Sequence, residues 1–137
     1  MSAEKFPLTL TLRIDWSETD AYKHVNNVTF IKYMQSARVN FWEETGLATY
    51  HTDTNKGPML VSTKCDFKQQ LTYPGNVIIK TRVTHIGTTS FSLEHYILNE
   101  SNQVSAIGQD VAVCFDFNTQ KTFEIPDWLR EKMEEFS

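Results

Sequence analysis

A short polar segment between two apolar stretches carries the residues that are best suited to chemistry. It runs from Trp16 to Asn27 and contains Asp20, His24 and Asn26. The segment precedes a predicted helix, and the first N–H groups of a helix have no partner inside it. Such donors stabilise a developing oxyanion, and a carboxylate and an imidazole beside them can carry protons. The residue types and spacing therefore predict an acid/base site at the start of this helix.

Each of these side chains also has a purely structural interpretation. Asp20 could stabilise a loop by hydrogen bonding to the backbone, and His24 could do the same. Asn26 and Asn27 are both good helix N-caps. We expect Glu18 to be solvated. The segment has no Ser/His/Asp triad, glycine-rich phosphate loop or zinc-site spacing, so the residues alone leave a site and an ordinary loop as alternatives.

The elements on either side of the segment are predicted from hydrophobic periodicity. Leu8 to Trp16 alternates apolar and polar residues, which predicts a strand with one buried face. Val28 to about Glu44 predicts a helix that Gly46 would end. The main apolar stripe of this helix consists of Phe30, Met34, Ala37 and Phe41. Val39 and Trp42 fall elsewhere on the helical wheel, so we expect other elements to wrap the helix.

Strand-like segments and short turns come after the helix. A polar loop and a break at Gly57-Pro58 separate them from it. The predicted strands are Met59–Leu71, Val77–Ile86, Ser90–Leu98 and Val104–Asn118. Short connections imply antiparallel pairing, and one helix against one antiparallel sheet is an α+β architecture.

Two further signals come from the last strand and from the C-terminal segment after it. One face of the last strand carries small groups, so we expect another element to pack closely there. These small residues are Ala106, Gly108, Ala112 and Cys114. Asp127–Phe136 predicts a short terminal helix that the chain enters through Pro126.

Composition narrows the class of protein. The 137 residues are 40% hydrophobic and 22% charged, which is typical of one globular domain, placed at residues 1–137. The net charge of -4 argues against a nucleic-acid-binding protein, since such a domain is normally basic. Cys65 and Cys114 have no metal-binding spacing, so we expect buried reduced thiols, a cytoplasmic location, and no metal or cofactor. Neither a signal peptide at Met1–Leu12 nor a membrane-spanning run is recognisable.

Residues 13–38 resemble the signature of hotdog-fold acyl-CoA thioesterases of the 4-hydroxybenzoyl-CoA thioesterase type. The matching pieces are Glu18-Thr19-Asp20, His24-Val25-Asn26-Asn27, Phe30 and Ala37-Arg38. The order of predicted elements is similar too, over roughly residues 6–118. Two departures are Glu18, which is often Asp in relatives, and Lys23, where many relatives carry Gly. The resemblance implies an α+β hotdog fold, in which a curved antiparallel five-stranded sheet wraps a long central helix.

The resemblance also implies a function, which is hydrolysis of an acyl-CoA thioester to the free acid and CoA. Asp20 would be the nucleophile or general base, and a backbone N–H near Asn27 would polarise the carbonyl. His24 would brace the loop or take part directly. Phe30 could line the acyl pocket, although ordinary core packing is the better explanation for any single residue of this kind. The turn Thr88-Thr89-Ser90 resembles a position that meets the CoA arm in relatives.

The same resemblance bears on partners and alternatives. Relatives pair two sheets edge to edge with active sites at the subunit boundary, so we expect a homodimer or a homotetramer built from dimers. The cationic candidates for the CoA phosphates are Lys64, Lys68, Lys80, Arg82 and Lys121. One alternative uses acyl carrier protein as the carrier, but the net charge of -4 does not suggest a basic docking patch. The other alternative is a non-catalytic acyl-binding module, against which the presence of Asp20 argues.

Overall fold

The computed structural model describes residues 6–137. Strand β1 (Leu8–Arg13) leads through a 3₁₀ turn (Trp16–Glu18) and a loop into helix α1 (Asn27–Thr45). Helix α2 (Leu47–Thr54) comes directly after α1. The remaining elements are β2 (Lys56–Phe67), β3 (Asn76–Ile86), β4 (Ser90–Leu98), β5 (Val104–Asp116), β6 (Lys121–Thr122) and α3 (Asp127–Glu135). Residues 1–5 lie outside the described residues. They belong to the predicted domain and to the N-terminal segment in which no signal peptide is recognisable.

The strands form one antiparallel sheet in the order β1-β3-β4-β5-β2. Strand β6 pairs with the end of β5 and lies off this path. Helix α1 contacts β1, β2, β3 and β4, so the sheet surrounds it on the concave side. The α+β prediction of five strands around one long helix is confirmed. The two residues of β6 are an addition, because so short a strand carries no periodicity.

Helix α1 packs on the small face of β5, as predicted. Met34 and Ala37 are buried, and a Cβ at Gly108 would lie only 2.6 Å from Met34 Cε. A larger residue at this position would require the Met34 side chain to move. The wrapping is incomplete on one side, since Val39 is 43% exposed. Within residues 6–137, no helix has the length and apolar composition to cross a bilayer.

Strand β1 is shorter than its alternating pattern predicts. It ends at Arg13, because Asp15 starts the 3₁₀ turn as its N-cap. The Asp15 carboxylate accepts the Ser17 N–H at 3.0 Å, and the Glu18 carboxylate accepts the Asp15 N–H at 2.9 Å. This reciprocal capping turns the chain away from the sheet and towards α1.

The polar stretch after α1 was wrongly predicted to be a loop. Gly46 does end α1, with φ of 84° in the left-handed region, but α2 begins immediately after it. Gly57 and Pro58 do not break the chain, since both lie inside β2. Pro58 is tolerated there because β2 is an edge strand. The terminal helix is confirmed as α3, with Pro126 as its N-cap residue.

Candidate active site

The loop that precedes α1, residues 18–26 (the site loop), folds into a ladder of two short arms. Residues 18–20 form the first arm and residues 24–26 form the second arm. Three contacts join the arms from base to tip: Asn26 N–H to the Glu18 carbonyl at 3.0 Å, the Thr19–Val25 bridge, and Asp20 N–H to the His24 carbonyl at 2.9 Å. Asp20 therefore lies at the tip of the ladder.

Asp20 uses one carboxylate oxygen to hold this loop. Its Oδ1 accepts the Tyr22 N–H at 2.8 Å and the His24 N–H at 3.0 Å. Its Oδ2 has no hydrogen-bond partner within residues 6–137. The His24 N–H in particular, together with that of Tyr22, lowers the pKa of Asp20 despite some desolvation. Asp20 therefore stabilises the loop through Oδ1, as the structural interpretation expects. Oδ2 of the ionised carboxylate remains available to a ligand.

Lys23 meets a backbone requirement that glycine would meet more easily. Its φ is 65°, in the left-handed region. Its N–H donates to the Asp20 carbonyl at 3.0 Å, and its own carbonyl accepts the Tyr73 N–H at 2.9 Å. These two hydrogen bonds hold the site loop in this conformation although position 23 is not glycine.

The start of α1 leaves backbone donors free. Asn26 is the N-cap residue, but its side chain makes no capping hydrogen bond. Its carbonyl accepts the Thr29 N–H at 2.9 Å, as expected of an N-cap. The N–H groups of Asn27 and Val28 precede the first helical hydrogen bonds and so have no helical acceptor. The positive end of the helix dipole adds to their preference for a negative ligand atom.

A cavity of about 440 Å³ brings the loop and the helix start together. The predicted site residues that line it are Asp20, His24, Asn27 and Phe30, along with Val25 and Asn26. A carboxylate, an imidazole and helix-terminal donors thus face one space. This arrangement can hold a carbonyl oxygen and present a base or nucleophile to the adjacent carbon.

The far wall of the cavity comes from the end of β2 and the residues that follow it, of which the sequence analysis singled out Lys68 alone. The Phe67 ring packs edge-on against Phe30, with centroids 5.4 Å apart and an interplanar angle of 88°. Lys68, Gln69 and Gln70 continue this wall. Lys68 is the one cationic candidate that lines the cavity. The polar run 68–70 between Phe67 and the buried Leu71 is the signal that could have identified the wall.

The turn Thr88-Thr89-Ser90 lies elsewhere in the protomer. The turn joins the end of β3 to the start of β4. The start of β3 follows Gly75, whose carbonyl accepts the Ile14 N–H at 2.9 Å, so this end of β3 lies near the chain that leads into the site loop. The 11 residues of β3 span roughly 35 Å. Within one protomer this turn and the Asp20 cavity are therefore at opposite ends of the sheet.

Glu18 is not solvated, contrary to the prediction from sequence. Its side chain is 10% exposed, and its Oε1 accepts the Asp15 N–H and the Tyr33 hydroxyl, both at 2.9 Å. Its Oε2 pairs with Lys32 Nζ at 3.0 Å. Burial favours a higher pKa for Glu18, but the hydrogen bonds from Asp15, Lys32 and Tyr33 outweigh it and lower the pKa.

A buried polar cluster under α1 was also missed. Asp110 is 1% exposed and lies 2.6 Å from His95 Nε2 and 2.7 Å from the Thr63 hydroxyl. Arg38 Nη1 lies 3.2 Å from both carboxylate oxygens. Burial favours a higher pKa for Asp110, but the His95 hydrogen bond, with Thr63 and Arg38, outweighs it and lowers the pKa. The cluster fixes α1 to the sheet and does not line the Asp20 cavity.

A long buried helix inside a curved antiparallel sheet, with a carboxylate and free N–H groups at its start, defines the hotdog class of thioesterases. Comparison with known proteins agrees. The model of the thioesterase-like superfamily matches residues 14–133, and the chain belongs to this superfamily.

The relatives that resemble the chain include named thioesterases. The long-chain acyl-CoA thioesterase FadM of Escherichia coli is 26% identical over 117 residues, covering 85% of this chain and 89% of FadM. A predicted thioesterase from Bacillus stearothermophilus is 26% identical with a TM-score of 0.84, covering 93% of this chain and 94% of that one. A gentisyl-coenzyme A thioesterase is 27% identical with a TM-score of 0.81, covering 92% and 99%. The predicted hotdog fold and the predicted class of thioester hydrolase are confirmed.

Proposed function

We propose that the chain is a single thioesterase domain that hydrolyses acyl-CoA thioesters to the free acid and CoA. The observation that carries this proposal is that Asp20 and the uncapped start of α1 line one cavity. The similarity to a long-chain acyl-CoA thioesterase and to a gentisyl-coenzyme A thioesterase supports CoA as the carrier. The aromatic pair Phe30–Phe67 supplies an apolar wall for the acyl group.

Catalysis would begin when the thioester carbonyl oxygen accepts the backbone N–H of Asn27. In one route, Asp20 Oδ2 attacks the carbonyl carbon, the C–S bond breaks, and CoA leaves as a thiolate that takes up a proton. Water then cleaves the mixed anhydride to the free acid. In the other route, Asp20 accepts a proton from a water that attacks the carbonyl carbon directly, the C–S bond breaks to give the free acid, and the CoA thiolate takes up that proton. In both routes the Asn27 N–H stabilises the oxyanion.

His24 has a mainly structural part in this proposal. Its N–H donates to Asp20 Oδ1 at 3.0 Å, and its backbone bridges to Thr72. Its ring lines the cavity near Tyr22, with centroids 6.4 Å apart. His24 therefore orients Asp20 through its backbone, while its imidazole forms part of the cavity lining.

The test is release of free thiol from a panel of acyl-CoA chain lengths. Asp20→Asn preserves the Oδ1 acceptor and hence the loop, but removes the nucleophile or base, so kcat should fall by about 100-fold or more. Asp53→Asn, an exposed aspartate on α2, is the matched control and should keep wild-type turnover. Thiol release by Asp20→Asn at the wild-type rate would contradict the proposal. The same acyl groups on acyl carrier protein distinguish the two carriers, and binding without turnover would indicate a non-catalytic module.

We further propose a homo-oligomer that forms through the edge of β2. Within residues 6–137, no strand pairs with the outer edge of this 12-residue strand, and its apolar residues Leu60, Val61 and Phe67 are 38%, 53% and 46% exposed. Long apolar edges are normally covered.

A cytoplasmic location is proposed from Cys65 and Cys114, which are unpaired. Burial raises the pKa of the Cys114 thiol to about 11.

A further inference from the structure

Glu18 does not line the cavity, yet its side chain joins the site loop to the body of the protein. Its carboxylate binds the Tyr33 hydroxyl and Lys32 Nζ, both on the first two turns of α1. The Tyr33 ring is 1% exposed and belongs to the core around Phe30 and Leu71. Glu18 therefore connects an outer loop to a fixed point of the core.

The two arms of the site loop are attached to the protein in different ways. The second arm has backbone contacts to residues 71–73: the Val25 N–H donates to the Leu71 carbonyl at 2.9 Å, and His24 bridges to Thr72. The first arm carries Asp20. It is held by the ladder to the second arm, by the Thr19 N–H and hydroxyl, which donate to the Trp16 carbonyl at 3.2 and 2.8 Å, and by the Glu18 side chain, whose contacts to α1 are 2.9 and 3.0 Å long.

We propose that Glu18 is the positioning residue for Asp20. By holding the first arm against Tyr33, Lys32 and the Asp15 N–H, its carboxylate sets where the Asp20 carboxylate lies above the cavity. Glu18 touches neither the cavity nor the substrate and acts through Asp20. The inference rests on the proposed function, in which Asp20 is the catalytic residue.

A carboxylate suits this position because it receives donors on both oxygens. Oε1 accepts two hydrogen bonds and Oε2 accepts the lysine. Alanine removes all of these contacts, whereas glutamine keeps an oxygen that can accept the Asp15 N–H and the Tyr33 hydroxyl. Glu18→Gln should therefore rescue most of what Glu18→Ala loses.

The expected result for Glu18→Ala is a fall in kcat with little change in KM. A catalytic group displaced by about 1 Å loses on the order of 100-fold in rate, so we expect a loss of roughly 10- to 100-fold. KM should stay within about twofold, since uniform binding of the substrate is not affected. Hydrogen exchange at the Tyr22 and His24 amides, which bind Asp20, should accelerate in the same variant.

Glu94→Ala is the matched control. Glu94 is also a partly buried glutamate in an ion pair, 2.8 Å from Arg82, with a side chain that is 16% exposed. It lies in β4 and does not line the cavity, so its loss should lower the melting temperature without lowering kcat. If Glu18→Ala does not fold, Tyr33→Phe removes the hydroxyl partner and keeps the ring in the core.

The decisive comparison uses Asp20→Asn as the background. If Glu18 acts through Asp20, adding Glu18→Ala to Asp20→Asn should lower kcat no further. Wild-type kcat in Glu18→Ala, an equal loss in Glu94→Ala, or a further tenfold loss in the double variant would each overturn the inference. Wild-type turnover in Asp20→Asn alone would instead overturn the proposed function, and the amide exchange rates would still decide whether Glu18 holds the arm.

Discussion

At the scale of single residues, the two oxygens of Asp20 have different tasks. Oδ1 is bound by two backbone N–H groups, and the same bonds keep the carboxyl ionised. The pKa of Asp20 is lowered, so protonation that abolishes activity should occur below the ordinary aspartate value of about 3.9. We expect kcat/KM to stay level as the pH falls from 7 towards about 4. Stopped assays with circular dichroism at each pH would check this, and an acid limb near pH 6 in folded protein would contradict it.

The oxyanion donor can be tested at Asn27, the first residue of α1. Proline is favoured at this helical position and lacks the N–H. Asn26 has φ of -65° and ψ of 146°, a conformation that is allowed before proline. Asn27→Pro should therefore fold normally and lose about 100- to 1,000-fold in kcat. Asn27→Ala keeps the N–H and should lose much less; equal losses in the two variants would show that the side chain matters instead.

At the scale of elements, the buried cluster holds α1 in register with the sheet. Asp110→Asn would leave the Arg38 guanidinium without its carboxylate in a buried place, which typically costs about 3–5 kcal/mol in the free energy of unfolding. Urea denaturation would measure the loss. Asp66→Asn is the control, because its pair with Lys64 is exposed at 3.6 Å and should contribute at most about 1 kcal/mol. A loss no larger than that of the control would mean that packing at Met34 and Gly108 fixes the helix alone.

The bounds of the helices and strands show how much of the fold could be predicted from the sequence. The bounds of β4 agree with the prediction, and α1 differs by one residue at each end, because strong periodicity marks both. Helix α2 was missed because its residues, LATYHTDT, are rich in threonine and carry no clear apolar stripe. The site residues before α1 were found because they are consecutive. The wall at Phe67 lies 40 residues later, and its polar run 68–70 does not show which loop it faces. Glu18 depends on partners 14 and 15 residues away. Placing either at the site therefore required the folded chain.

At the scale of the whole molecule, the proposed pairing of two β2 edges would bring a second subunit to the site. An isologous contact about a two-fold axis normal to the sheet pairs two β2 strands antiparallel. The end of β2 that carries Phe67 then meets the beginning of the partner's β2. The turn Thr88–Ser90 lies at that beginning, because Ser90 pairs with Val113 and Met59 pairs with the same residue. The CoA arm would thus meet this turn from the partner subunit.

This arrangement predicts that dimerisation and CoA binding are lost together. Val61→Lys places a charge at the centre of the β2 edge and should convert a dimer, measured by light scattering at micromolar concentration, into a monomer. The monomer should show a raised KM for acyl-CoA, since it would lack the Thr88–Ser90 turn that the partner subunit supplies. Val39→Lys changes a similarly exposed valine on α1 and should alter neither mass nor KM. A wild-type chain that is monomeric and fully active would contradict the arrangement. The chain's own Thr88–Ser90 turn is separated from the Asp20 end of the sheet by the length of β3, about 35 Å, so a monomer would bind CoA without this turn.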